Sequence, residues 1–84
     1  MTLLWSAGVL ILVQHNPLLE PQHFDWQGQR YQVQAIAKRW RLDQEWWQQR
    51  VWREYFKLTT TDGLLVVVYY DLSCGNWCLQ RMYD

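Results

Sequence analysis

The run Leu64-Leu65-Val66-Val67-Val68-Tyr69-Tyr70 is apolar on both faces, with Asp62-Gly63 before it and Ser73-Cys74-Gly75-Asn76 after it. Bounded by these turns, the run reads as a central strand. A strand with no polar face must be covered on both sides, as in a closed or covered sheet. Asp-Gly is the strongest short-range hairpin signal, because a type I′ turn needs positive φ at both central positions. That turn sets Phe56 opposite Tyr69 and Leu58 opposite Val67. Gly75, second central residue of the next turn, sets Tyr70 opposite Leu79 and Val67 opposite Met82. Segments 54–60, 64–72 and 77–83 then form an antiparallel meander. In this register Tyr55, Lys57, Val68, Tyr70, Trp77, Leu79, Arg81 and Tyr83 share one face. Phe56, Leu58, Leu65, Val67, Tyr69, Cys78 and Met82 share the other. The first face, with Lys57 and Arg81 on it, is either a platform for single-stranded nucleic acid or buried beneath an upstream hairpin. Burial, with the two cations snorkelling outward, is the expectation.

That upstream hairpin runs from His23-Phe24-Asp25-Trp26 through Gln27-Gly28-Gln29 to residues 30–36, where Tyr31, Val33 and Ala35 alternate with Arg30, Gln32 and Gln34. A Gln27-Gly28 loop pairs Asp25 with Arg30 and Phe24 with Tyr31; a Gly28-Gln29 loop pairs Trp26 with Tyr31 and Phe24 with Val33. Pro17 and Pro21 make the residues between them a loop. Leu3 to Val13 holds nine apolar residues of eleven, yet no basic residue precedes it and no small-residue cleavage site follows. As a helix it would reach only about 16 Å, roughly half a bilayer core. Residues 9–14 therefore read as a buried strand, and residues 1–8 as a poorly specified lead-in. In residues 37–52, Asp43 is placed to cap a short helix through Gln44–Gln49. The expected fold is mainly β: residues 9–84 form one small bent antiparallel sheet or partly open barrel of about five or six strands. One short helical or loop insert interrupts it.

Length and charge exclude whole classes. Eighty-four residues with eight basic and eight acidic side chains leave no global field for a polyanion. Two cysteines cannot make a disulfide scaffold, and Cys74, Cys78, His15 and His23 have no zinc spacing. Ser6 and Ser73 stand far from either histidine, and no phosphate loop or carboxylate pair appears, so neither catalysis nor a cofactor or metal is expected. A cytoplasmic protein without a membrane segment is the corresponding expectation.

The candidate site is the Trp/Arg segment. Seven of the eight basic residues (Arg30, Lys38, Arg39, Arg41, Arg50, Arg53 and Lys57) fall here with Trp40, Trp46, Trp47 and Trp52, giving +4 against −2 in each flank. Trp46 and Trp47 are adjacent, so one ring of the two faces outward on either a strand or a helix. Rings interleaved with arginine make either a protein-interface hot spot or a stacking groove for single-stranded nucleic acid. The structural alternative is core filler covered by arginine stems. The residues assigned to the surface are Trp46, Trp47, Trp52, Arg50 and Arg53, with Trp40 and Arg41 beside them. A protein partner is the first expectation and nucleic acid the alternative. Self-association through a sheet edge or the N-terminal strand is a third.

One ordered series goes further. It comprises Phe24-Asp25-Trp26-Gln27-Gly28-Gln29-Arg30-Tyr31-Gln32-Val33, Arg39-Trp40-Arg41, Trp46-Trp47, Arg53-Glu54-Tyr55-Phe56-Lys57-Leu58, Asp62-Gly63 and Asn76-Trp77-Cys78-Leu79-Gln80-Arg81-Met82-Tyr83-Asp84. Over residues 22–84 it resembles a small bacterial domain family of unknown function. It is also similar to the C-terminal module of the inactive Y-family polymerase-like protein of the bacterial mutagenesis (mutasome) cassette. The resemblance implies a non-catalytic accessory domain in DNA repair or translesion mutagenesis, and it carries over no catalytic residue. Gln27 and Gln29 stand where related chains are more often basic.

Overall fold

The computed structural model describes residues 2–46 and 49–83, and all its regular elements are strands. They are β1 (Thr2–His15), β2 (Pro21–Trp26), β3 (Gln29–Trp46), β4 (Gln49–Thr60), β5 (Leu65–Asp71) and β6 (Asn76–Tyr83). They close in chain order into a six-stranded antiparallel barrel, with β1 beside β6. The barrel is thus closed rather than partly open.

Closure rests on two long strands that change partners. β1 pairs with β6 from Thr2 to Ile11, then with β2 from Leu12 to His15. β3 leaves β2 after Gln32 and continues along β4 to Trp46. Register breaks at Leu4/Val9, Val33/Ala35 and Ile36/Lys38 supply the bends, as bulges do at barrel corners. β1 is longer than residues 9–14 and mostly not buried: Ile11 is 8% exposed, but Leu10 is 69% and Leu12 75% exposed. A strand paired along part of each edge and packed on one face leaves its alternate residues in solvent.

The first hairpin takes the Gln27-Gly28 register, with Asp25 opposite Arg30 and both loop residues at positive φ (51° and 75°). The Asp62-Gly63 hairpin departs from a two-residue turn. Thr60 pairs with Leu64 around the loop Thr61-Asp62-Gly63, of which only Gly63 has positive φ, at 88°. One extra loop residue moves β5 by one place and exchanges its two faces. Phe56 therefore faces Val68 and Leu58 faces Val66. The last loop is four residues long, so Asp71 meets Asn76 and Tyr70 meets Trp77. A break at Val67/Val68 then sets Val66 opposite Met82.

The expected helix at Asp43–Gln49 is absent from the described residues; Trp47 and Gln48 lie outside them. Here β3 and β4 run on as a two-stranded ribbon, with Asp43 opposite Trp52 and Glu45 opposite Arg50. Arg39 and Arg41 alternate with Trp40 and Leu42, and unbroken pairing from Lys38 to Trp46 with β4 satisfies a long backbone that one capped turn could not.

The barrel interior holds Ile11, Phe24, Phe56, Leu58, Val66, Val68, Trp77, Leu79 and Met82. Tyr70, Val68, Trp77 and Leu79 thus lie on the Phe56 side, against the expected grouping, because the extra residue in the Thr61-Asp62-Gly63 loop turns β5 over and the four-residue loop, two residues longer than expected, carries β6 over with it. Of the set expected to lie buried beneath the upstream hairpin, Tyr55, Lys57, Arg81 and Tyr83 do share a face, but it is the one turned away from the barrel interior.

Candidate binding face

The sheet formed by the second half of β3 with β4, β5, β6 and the first half of β1 has an outer face outside the barrel. A second cluster packs there: Tyr55, Val67 and Tyr69, flanked by Trp40, Leu42, Cys78 and Tyr83. Tyr55 stacks on Trp40 (centroids 5.2 Å apart, planes at 6°), and Tyr69 leans on Tyr55 at 5.3 Å. Cations finish the cover. The Arg53 guanidinium lies 4.3 Å from the Tyr69 centroid and donates to the Tyr55 hydroxyl at 3.1 Å. Tyr69 is 2% exposed; burial, and then the neighbouring Cys78, push its hydroxyl pKa up. Over Tyr69 and Cys78 sits Gly8, at φ 79°, where a Cβ would come within 2.8 Å of the Tyr69 hydroxyl.

At the other end of this face a cleft of about 300 Å³ opens between Trp40 and Tyr83, with Val67 at its floor. Lys38, Lys57, Gln80 and Arg81 complete its lining, and no acidic residue takes part. Lys38 Nζ lies 5.4 Å from the Trp40 centroid; Lys57 Nζ and Arg81 Cζ lie 6.0 and 5.6 Å from that of Tyr83. Arg81 Nη1 donates to the Tyr83 hydroxyl at 2.7 Å. Among the described residues none of these three cations is in an ion pair.

The residues expected at the surface from sequence do not form one patch. Trp40 and Arg53 belong to the outer face. Arg41 alternates to the opposite side, where it and Arg39 hold Glu54 at 2.7 and 3.0 Å. Arg50 grips Asp43 with two hydrogen bonds (3.1 and 3.2 Å) and covers Trp52 at 4.4 Å. Trp46 sits on β3 opposite Gln49, its side chain outside the described part, and Trp47 lies wholly outside the described residues. Lys38, Gln80 and Val67 are the cleft residues that sequence reasoning did not assign to a binding face. Alternation along residues 38–42 was the available signal for Lys38; the helical reading of the stretch just beyond it hid that signal.

A larger cleft of about 480 Å³ lies where β1 changes partners, with Leu10, Leu12, Trp26 and Trp77 among its walls. Its one acid, Asp25, is held by Arg30 at 3.0 Å. Among the described residues no three His, Cys, Asp or Glu side chains cluster to hold a metal, and Cys74 and Cys78 are free thiols. No helix there is long and apolar enough to cross a membrane.

No curated protein and no solved structure matches the chain. Residues 11–84 match the family described as Domain of unknown function (DUF6504). The match spans β2 to β6 and the part of β1 that joins β2, and the chain therefore belongs to the DUF6504 family.

Proposed function

We propose that this chain is a non-catalytic binding module that holds single-stranded nucleic acid on the outer face of its sheet. The observation that carries the reading is the Trp40/Tyr83 cleft, with Lys38, Lys57 and Arg81 on it and no carboxylate. Phosphates meet the cations, and bases stack on the two half-exposed rings, each worth about 1–3 kcal/mol. Three phosphate contacts would give a salt slope of about −2 for log K against log salt. The resemblance to the mutagenesis-cassette module supports a place in DNA repair or translesion synthesis. A protein partner is the second reading, favoured by the exposed Leu10 and Leu12 beside the larger cleft.

Titration of the protein with short single-stranded DNA and RNA, followed by Trp fluorescence and by anisotropy of a labelled strand, tests this reading. Saturable binding that falls with salt is expected. Lys57→Ala should weaken binding and reduce the salt slope by about 1. Trp40→Ala should weaken it about tenfold or more at any salt. A flat titration at low salt overturns the nucleic-acid reading and leaves the protein partner.

A further inference from the structure

Among the described residues, no strand pairs with β3 beyond Gln32 on the side away from β4. Lys38 to Trp46 pairs with β4 without a break, and among the described residues no strand lies along its other edge, which is regular backbone. Such an edge is a template for another strand unless something protects it. Its charges are sorted: Lys38, Arg39 and Arg41 come first, then Asp43 and Glu45.

We propose that this edge pairs antiparallel with the same edge of a second copy, making a two-fold dimer centred on Leu42. In that register Arg41 faces Asp43 of the second copy and Arg39 faces its Glu45, and symmetry repeats both pairs. Residues 39, 41, 43 and 45 alternate onto one side of the strand, so the opposed charges share a face. Sliding by two residues brings Arg41 onto Arg41 in one direction and Asp43 onto Asp43 in the other. Centring on Trp40 or Gln44 instead sets Arg39 against Arg41 or Asp43 against Glu45, so of the registers centred on residues 40 to 44 only the Leu42-centred one avoids a like-charge pair, and one pattern supplies both affinity and register.

The local electrostatics fit. Glu54 is a single carboxylate shared by Arg39 and Arg41, and Arg50 is a single guanidinium held by Asp43 with Glu45 opposite it, so one end of the pairing keeps a positive charge and the other a negative one. Arg41 is 53% exposed, and Glu45 is exposed with no ion pair among the described residues. Arg39 also donates to the Leu18 carbonyl at 3.1 Å, which steadies it at the far end of the pairing. The dimer would join the two sheets edge to edge with both outer faces on one side. The inference rests on that edge and its charge order, not on the cleft, and stands or falls separately from nucleic-acid binding.

Sedimentation and light scattering of the full chain over a wide concentration range provide the test. A monomer–dimer equilibrium that weakens with salt is expected. Glu45→Lys should raise the dimer dissociation constant about tenfold or more while circular dichroism stays unchanged. In a Cys74→Ser background, Leu42→Cys should cross-link two chains on mild oxidation, since residue 42 meets itself. Gln44→Cys, which meets Trp40 instead, should not. A monomer at every concentration, a Glu45→Lys dimer as tight as the parent, or equal cross-linking through positions 42 and 44 would overturn the proposal.

Discussion

Glu54 is the one buried carboxylate among the described residues, 5% exposed on a strand between Arg53 and Tyr55. Burial alone would raise its pKa, but hydrogen bonds from Arg39 and Arg41 outweigh that and hold it below the ordinary value. Its ionised form therefore favours the fold above the unfolded pKa, and that contribution is lost as pH falls through the lower folded value. Asp71, which accepts from Ser73, and Asp25, paired to Arg30, act in the same direction. Urea unfolding should show stability nearly constant from neutral pH down to about 5 and falling below about 4. Glu54→Gln should cost about 1–3 kcal/mol at neutral pH, less than a fully buried pair because both guanidiniums reach solvent. It should also flatten the acid limb without abolishing it. That these arginines serve Glu54 was hidden in the sequence, where Arg39, Arg41 and Glu54 stand on different strands. The basic cluster was plain, but its division between two faces needed the strand pairing.

Loop length governs the elements. Gly8 and Gly63 both have positive φ, at 79° and 88°, but a Cβ at Gly63 would meet nothing within 4 Å. At Gly8 it would press on the Tyr69 hydroxyl and on Cys78 Cβ, at 2.8 and 2.9 Å. Gly63→Ala should therefore cost about 1 kcal/mol, from backbone strain alone. Gly8→Ala should cost about 2–4 kcal/mol, strain and overpacking together. Urea midpoints of the two variants measure the difference, and equal costs would mean that β1 does not rest on the outer face. The hairpins were legible from Gln27-Gly28, Asp62-Gly63 and Gly75, because few other residues adopt these turn conformations. Registers were not, since Asp-Gly suits both a two-residue I′ turn and a three-residue loop ending in a bulge. Only the burial of Val66 and Val68 against Phe56 and Leu58 selects the second. The β3–β4 ribbon escaped for a related reason: Asp43 is equally at home capping a helix or facing Trp52, and long-range pairing decided it.

For the whole molecule, closure joins β1 to β6, elements at opposite ends of the chain, while every other pairing is between strands consecutive in the chain, so the one non-local pairing is the one that closes the barrel. An all-β barrel closed by such a long-range pairing should refold on the order of milliseconds to seconds, measurable by stopped-flow Trp fluorescence; microsecond folding would mean that a smaller local unit forms alone. Read residue by residue, the chain already shows itself mainly β, with the places of its turns and the concentration of aromatic and basic residues between residues 30 and 57. Those properties are local: turn conformation, period-two alternation and composition act through neighbours in the chain. The tertiary structure decided the closure of the barrel, the registers of the last two hairpins, which arginines are spent on Glu54 and Asp43, and the meeting of Lys38 and Lys57 with Arg81 and Tyr83. Each depends on which strand lies beside which, and a shift of one residue, settled by the core as a whole, moves a side chain from the interior to the outer face.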